Sequence, residues 1–181
     1  MLADDFEGRH FSSKDTILIY LMNEYGTMVK RLAFSYVKDT SLAEDIAQEV
    51  FIAAYKNLDA FKGESSYKTW IYRIAINRSK DMVKSKAFQM VSLSTIINPF
   101  KKSSTSTEVE VIRRENSNKV LECILSLPIK YREIIYLFYY EELKIHEIHQ
   151  ITQINTETIK SRLRRGKQLL KNKLSAEDLQ I

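Results

Sequence analysis

Breakers of helical structure are scarce in this chain: four glycines and two prolines punctuate 181 residues, which favours long helices over frequent tight turns. The apolar periodicity agrees. Between Lys14 and Lys38, Ile17, Leu21, Tyr25, Met28, Leu32 and Tyr36 recur at steps of three and four, the core stripe of a first helix. A break at Lys38-Asp39-Thr40 follows, and Ser41 with Glu44 has the spacing of a capping box. The second helix then runs through DIAQEVFIAAYKNL, with Ile46, Val50, Ala53 and Ala54 inward and Asp45, Gln48, Glu49 and Ile52 on the other side. The loop DAFKGESS holds Gly63 and ends in serines suited to N-capping. A third helix, YKTWIYRIAINRSKDMVKSK, offers Trp70, Ile71, Ile74, Ala75 and Met82 to a core, with Arg73, Asn77, Lys80 and Lys84 on the opposite face.

From about Phe88 to Asn116 the helical period fails. This stretch carries Pro99 and a Ser/Thr cluster, and structureless loops of such length are rare inside a domain, so it reads as a linker. Its apolar residues Val91, Leu93, Ile96, Ile97 and Phe100 suggest that it docks when bound. Four short helical patterns follow: NSNKVLECILS, IKYREIIYLFYY after Pro128, LKIHEIHQIT, and a last basic helix. The expected fold is all-α: two small helical domains joined by a flexible linker, the second ending in a helix-turn-helix. The expected division is a tail at 1–13, a first domain at 14–88, the linker at 89–116, a second domain at 117–175 and a tail at 176–181.

The last helix constrains function most. Its apolar stripe is Ile159, Leu163, Gly166, Leu170 and Leu174. Lys160, Arg164, Lys167 and Lys171 follow the same steps on a neighbouring face, with Ser161, Arg165 and Gln168 beside them. Seven basic residues between Thr156 and Leu174 meet one acid, Glu157. A merely solvated charged helix would intersperse acids, because like charges at i,i+4 repel. A nucleic-acid backbone is the commonest partner to supply the missing negative charge. The excess is local: residues 1–60 hold six basic and ten acidic residues, a net of −4, whereas residues 61–90 hold seven and two, a net of +5. Acidic surface does not seek DNA, so the first part faces a protein. Cys123 is the sole cysteine, which suits a reducing cytoplasm. The start MLADDFEGRHF lacks the apolar core of a signal peptide. No run approaches the ~18 apolar residues of a membrane span, so no direct membrane insertion is expected.

DIAQEVFIAAYKNLDAFKGESSYKTWIYRIAINRSKD is similar to the first DNA-reading domain of the extracytoplasmic-function sigma factors. LPIKYREIIYLFYYEELKIHEIHQITQINTETIKSRLRRGKQLL is similar to their second. The two strings cover a little under half of the chain. A helix-turn-helix alone is a weak signal; the D-x-x-Q-E-x-F string, the T-W-x-Y-R-I-A-x-N string and a terminal T-I-K-S-R-L in one chain are a strong one. The resemblance implies a sigma factor that binds core RNA polymerase and directs promoter-specific initiation, as a stress or envelope-response regulator. It implies no enzyme activity and no cofactor, and it adds an inhibitory anti-sigma partner, often membrane-anchored.

Residue roles follow from the resemblance. Asp45, Gln48, Glu49 and Ile52 would dock on core polymerase. Phe61, Tyr67 and Tyr72 would offer stacking platforms to the melted −10 strand, with Lys62, Lys68, Arg73, Lys80 and Lys84 as its cationic track. Asn77, an amide with both donor and acceptor, would help read a flipped base. Trp70 is expected to pack in the core instead. Lys160, Ser161, Arg162, Arg164, Arg165, Lys167 and Lys171 would bind the −35 duplex, arginine being suited to bidentate pairing with guanine.

Two positions depart from the family's pattern. His149 stands where a small residue is usual, and would lean outward. Gln153 stands where the turn usually has glycine, and must either avoid positive φ or accept strain. His146, His149 and Cys123 form an incomplete metal set, and no metal is expected. The alternative function is a stand-alone helix-turn-helix repressor or activator, which would bind a palindrome as a dimer without polymerase. An enzyme is a distant third, for want of a Gly-rich phosphate loop, a metal cluster or a nucleophile–base pair.

Overall fold

A computed structural model describes residues 13–85 and 114–178. The first domain is α1 (Lys14–Val37), α2 (Thr40–Asn57), a 3₁₀ turn (Leu58–Ala60) and α3 (Tyr67–Lys84). The second is α4 (Arg114–Leu125), α5 (Ile129–Tyr139), α6 (Ile145–Thr152) and α7 (Thr156–Asp178). Helix α4 starts inside the span read as linker, and α7 runs beyond the expected boundary at 175. Residues 89–113, with their apolar docking patches, lie outside the described residues, as do 1–12 and 179–181 of the two tails.

Local chemistry sets the helix ends. Ser13 Oγ accepts the Thr16 N–H at 3.2 Å, and Ser66 Oγ accepts that of Thr69 at 3.2 Å. The capping box at Ser41 and Glu44 does not form. Asp39, in extended conformation, caps α2 instead: its Oδ1 accepts the Leu42 N–H at 2.8 Å, which puts Ser41 and Glu44 inside the helix. Lys38 reverses the chain after α1 from a left-handed conformation, φ 57°.

Helices α1, α2 and α3 pack mutually around Leu21, Val29, Leu32, Ile46, Val50 and Ile71, all fully buried. In the second domain α5 packs on α7 around Ile134, Ile135, Leu137 and Ile159. Gly166 makes that approach possible, since a Cβ there would lie 2.8 Å from Ile135 Cγ1.

The two domains meet face to face, α3 on α6 and α1 on α5, with their buried residues forming one continuous cluster. The seam is polar where it matters. Arg132 and Glu133, adjacent on α5, are each 3% exposed. Arg132 donates to the backbone carbonyls of Leu125 and, at 3.2 Å, Tyr36. Glu133 accepts from the Tyr36 hydroxyl and pairs with Lys80 Nζ, each at 2.7 Å.

Candidate nucleic-acid interface

The helix-turn-helix is α6, a turn at 153–155, and α7. Gln153 accepts the strain: it sits at φ 59°, ψ 16° at the C-cap of α6, and its side-chain amide donates to the Gln150 carbonyl at 2.7 Å. His149 does lean outward, exposed, with Nδ1 2.7 Å from the Ile154 carbonyl. Asn155 Oδ1 accepts the Glu157 N–H at 2.9 Å, starting α7. Ile159 and Leu163 are buried, and this fixes the roll of the helix. Lys160, Ser161, Arg164, Arg165, Lys167 and Lys171 are therefore all exposed. Lys160 pairs with Glu157 at 2.7 Å, and Arg165 donates to Gln168 Oε1 at 2.9 Å. Arg162 departs from the set. One residue before buried Leu163, it is turned toward the first domain and lines a cavity with Tyr36, Lys80, Lys84, Lys130 and Glu133.

On the first domain, Phe61 and Tyr67 stack with ring centroids 4.7 Å apart, and Trp70 lies 4.9 Å from Phe61. All three are half-buried, so Trp70 belongs to this aromatic cluster rather than to a sealed core. Its place four residues before Ile74 on an apolar stripe hid that from the sequence. Lys62, Lys68, Asn77 and Lys84 are exposed. Tyr72 is a correction: its ring is fully buried and no base can stack on it. Its hydroxyl donates to Glu141 across the domain seam. Arg73 and Lys80 are half-buried and engaged by the second domain, Arg73 Nε at 3.0 Å from the Gln150 carbonyl and Lys80 at Glu133. Burial first, and then the facing carboxylate, holds the phenol pKa of Tyr36 (Glu133), Tyr72 and Tyr136 (both Glu141) above the ordinary value.

Away from these helices, Asp45, Gln48, Glu49 and Ile52 are exposed on α2, Ile52 at 54%. Gln48 and Ile52 border a groove of about 570 Å³ between α1 and α2, with Leu18, Met22, Phe51 and Tyr55. Ile19, at 58% exposed, and Met22 extend this apolar strip onto α1. The sequence held a signal for them, because both fall off the stripe of Ile17, Leu21 and Tyr25. Among the described residues, no group of three His, Cys, Asp or Glu is placed to hold a metal ion, and no helix is long and apolar enough to cross a membrane.

Comparison with known proteins gives these surfaces a family. Residues 21–89 match the Sigma-70 region 2 family and residues 117–170 match Sigma-70, region 4. ECF RNA polymerase sigma factor SigW of Bacillus subtilis (strain 168) is 33% identical over 162 residues, 85% of this chain and 87% of its own length. RNA polymerase sigma factor SigV of the same organism is 32% identical over 167 residues, 90% of this chain and 94% of its own. In fold the chain is similar to the sigma factor RpoE of Bartonella quintana, solved with the anti-sigma factor NepR. That match has a TM-score of 0.67 at 20% identity and covers 90% of this chain and 98% of that one. CnrH, solved with the cytosolic domain of CnrY, aligns with a TM-score of 0.65 at 18% identity over 91% of each chain. With both regions in order and relatives matched along most of their length, the chain belongs to the ECF RNA polymerase sigma factors, which bind core polymerase and select promoters by their −35 and −10 elements.

Proposed function

We propose that the three surfaces divide the work of initiation. The exposed side of α2, with Asp45, Gln48, Glu49 and Ile52, docks on core polymerase, and the apolar strip of Ile19 and Met22 extends that footprint. Phe61, Tyr67 and Trp70 stack on the melted −10 strand, Lys62, Lys68, Arg73, Lys80 and Lys84 hold its phosphates, and Asn77 reads one base. The exposed face of α7 enters the major groove of the −35 element, where Arg164 and Arg165 read base edges and Lys160, Ser161, Lys167 and Lys171 hold phosphate. Arg162 takes a lesser part.

The observation that carries this reading is the separation of chemistries by surface. One exposed face is basic and free of apolar residues, one couples aromatic rings to cations, and one couples acids to an apolar groove. Family membership sets aside the stand-alone repressor, which has no use for the third surface. The protein acts in the cytoplasm as a stress or envelope-response regulator and performs no reaction of its own. An anti-sigma partner restrains it. Support comes from the anti-sigma factor NepR solved with RpoE and from an apolar groove of about 440 Å³ between the domains, lined by Phe34, Leu121, Ile124, Leu125 and Tyr140.

The test is reconstitution. Added to core polymerase and genomic template fragments, the purified protein should yield transcripts from a discrete set of start sites sharing −35 and −10 sequences. Transcripts no different from those of core alone would refute the reading.

A further inference from the structure

Arg162, turned off the basic face of α7, joins three other cations around one cavity of about 360 Å³. Lys80 and Lys84 come from α3, Lys130 from the first turn of α5 and Arg162 from α7, so both domains contribute. Glu133 is the one acid among the described residues of the lining, and it is already engaged. It accepts from the Tyr36 hydroxyl and pairs with Lys80 Nζ, each at 2.7 Å. Four cations and one acid give the lining a net charge of +3. Arg162 meets no acid among the described residues, and Lys130 Nζ lies over the Tyr131 ring, 5.0 Å from its centroid. The surroundings are positive as well. Buried Arg132 donates to the carbonyls of Leu125 and Tyr36. Just past α1, burial first, and then the charges of Arg132 and Lys173, hold the Lys38 ammonium below its ordinary pKa. Like charges gathered at a half-buried seam repel one another, and an anion among them reverses the sign of that energy.

We propose that this cavity is a binding site for a small oligophosphate anion, held by Lys80, Lys84, Lys130 and Arg162. Its volume lies near the lower end of the roughly 300–1,000 Å³ of small-ligand sites, which fits a short phosphate chain better than a whole cofactor. A di- or triphosphate concentrates several negative charges on a compact frame, matching the excess in the lining. The planar fork of arginine suits bidentate recognition of phosphate, and the lysines add point charges. The end of α5 acts in the same direction. No side chain caps it, its first residues Ile129 and Lys130 line the cavity, and a helix N-terminus carries partial positive charge. The rest of the lining is Val83, Ile129 and buried Tyr36, whose hydroxyl is spent on Glu133, so nothing there hydrogen-bonds a base or a sugar. Recognition ends at phosphate.

The experiment titrates the full chain, without polymerase or divalent cations, with inorganic tripolyphosphate by calorimetry at about 0.15 M salt. Wild type should show saturable one-to-one binding, and the ligand should raise its thermal midpoint. Lys130→Gln and Arg162→Gln each remove one charge from the cavity and should weaken binding about tenfold. Lys130 is exposed, so its variant should melt like wild type and keep the test readable. Lys56→Gln removes an exposed charge from the last turn of α2, outside the lining, and should leave binding unchanged. ATP, which adds a nucleoside to the same phosphate chain, should bind no more tightly than tripolyphosphate. No saturable binding at this salt, or wild-type affinity in a folded Lys130→Gln, overturns the site. Equal weakening by Lys56→Gln would reduce the binding to net charge and overturn it too. ATP binding tenfold tighter than tripolyphosphate would overturn the assignment to a bare phosphate chain.

Discussion

The Tyr36 hydroxyl donates to the Glu133 carboxylate at 2.7 Å across 97 residues of chain, joining the end of α1 to α5. Both groups are out of water, and the phenol there keeps its proton to higher pH than a free tyrosine does. Tyr72 and Tyr136 share that behaviour at Glu141.

Alkali should therefore loosen the molecule. Unfolded tyrosines ionise near pH 10, while these three stay protonated in the folded state. Below that pH their contribution is complete; above it the folded state binds more protons than the unfolded state, and stability falls as pH rises. Urea midpoints should hold steady to about pH 9.5 and then decline. Tyr36→Phe should flatten the decline. A wild-type midpoint constant to pH 11 would contradict the burial of these phenols.

Two helical glycines should respond oppositely to alanine. Nothing lies within 4 Å of a Cβ at Gly26, whereas one at Gly166 meets Ile135 Cγ1 at 2.8 Å. Gly26→Ala should stabilise by about 0.5–1 kcal/mol through helix propensity. At Gly166 overpacking of about 1–3 kcal/mol opposes that gain, so Gly166→Ala should be net destabilising. Denaturant titrations of the pair decide, and a stabilising Gly166→Ala would mean that α5 and α7 sit further apart.

The turn of the helix-turn-helix stores strain at Gln153, φ 59°. Gln153→Gly should relieve it and stabilise by up to about 1 kcal/mol, the left-handed penalty of roughly 1–2 kcal/mol less the entropy of glycine. A loss of stability on substitution would show that the amide's bond to Gln150 outweighs the strain.

These cases mark what the sequence could carry. Helix existence was legible wherever one apolar stripe met one core: Ile17, Leu21 and Tyr25 on α1, or Ile159 and Leu163 on α7. At α3 the helix was legible but its inward face only in part, because it is buried on two sides. Ile71 and Ala75 follow the expected stripe, but Tyr72 and Ile76 are equally buried. No local period signals a second partner supplied from across the linker. Arg132 and Glu133 were invisible for the same reason, since charged residues read as surface until the groups that satisfy them are in place. The cap of α2 was missed by two residues because Ser41 and Asp39 are both competent caps. The exposed basic face of α7 and the exposed polar face of α2 were legible, since a charged residue off the apolar stripe needs no partner to be placed.

On α7 reading and holding should separate. Arg165→Ala should relax −35 discrimination by about 1–3 kcal/mol through loss of a bidentate base contact. Lys171→Ala should weaken all sequences alike and lower the salt slope by about one unit. Competition binding by the holoenzyme on matched and mismatched −35 duplexes distinguishes the two. Uniform weakening by Arg165→Ala would make it a phosphate contact.

Core affinity of Gln48→Ala with Glu49→Ala, measured beside a thermal melt of the same protein, tests the division of surfaces most directly. Both side chains are exposed on α2, while Ile46 and Val50 on its other face are fully buried, so the fold has no need of them. The double variant should melt like the wild type and bind core polymerase roughly thirtyfold more weakly, as expected for truncation at an interface centre. Wild-type core affinity in a well-folded double variant would contradict the account and place the docking surface elsewhere.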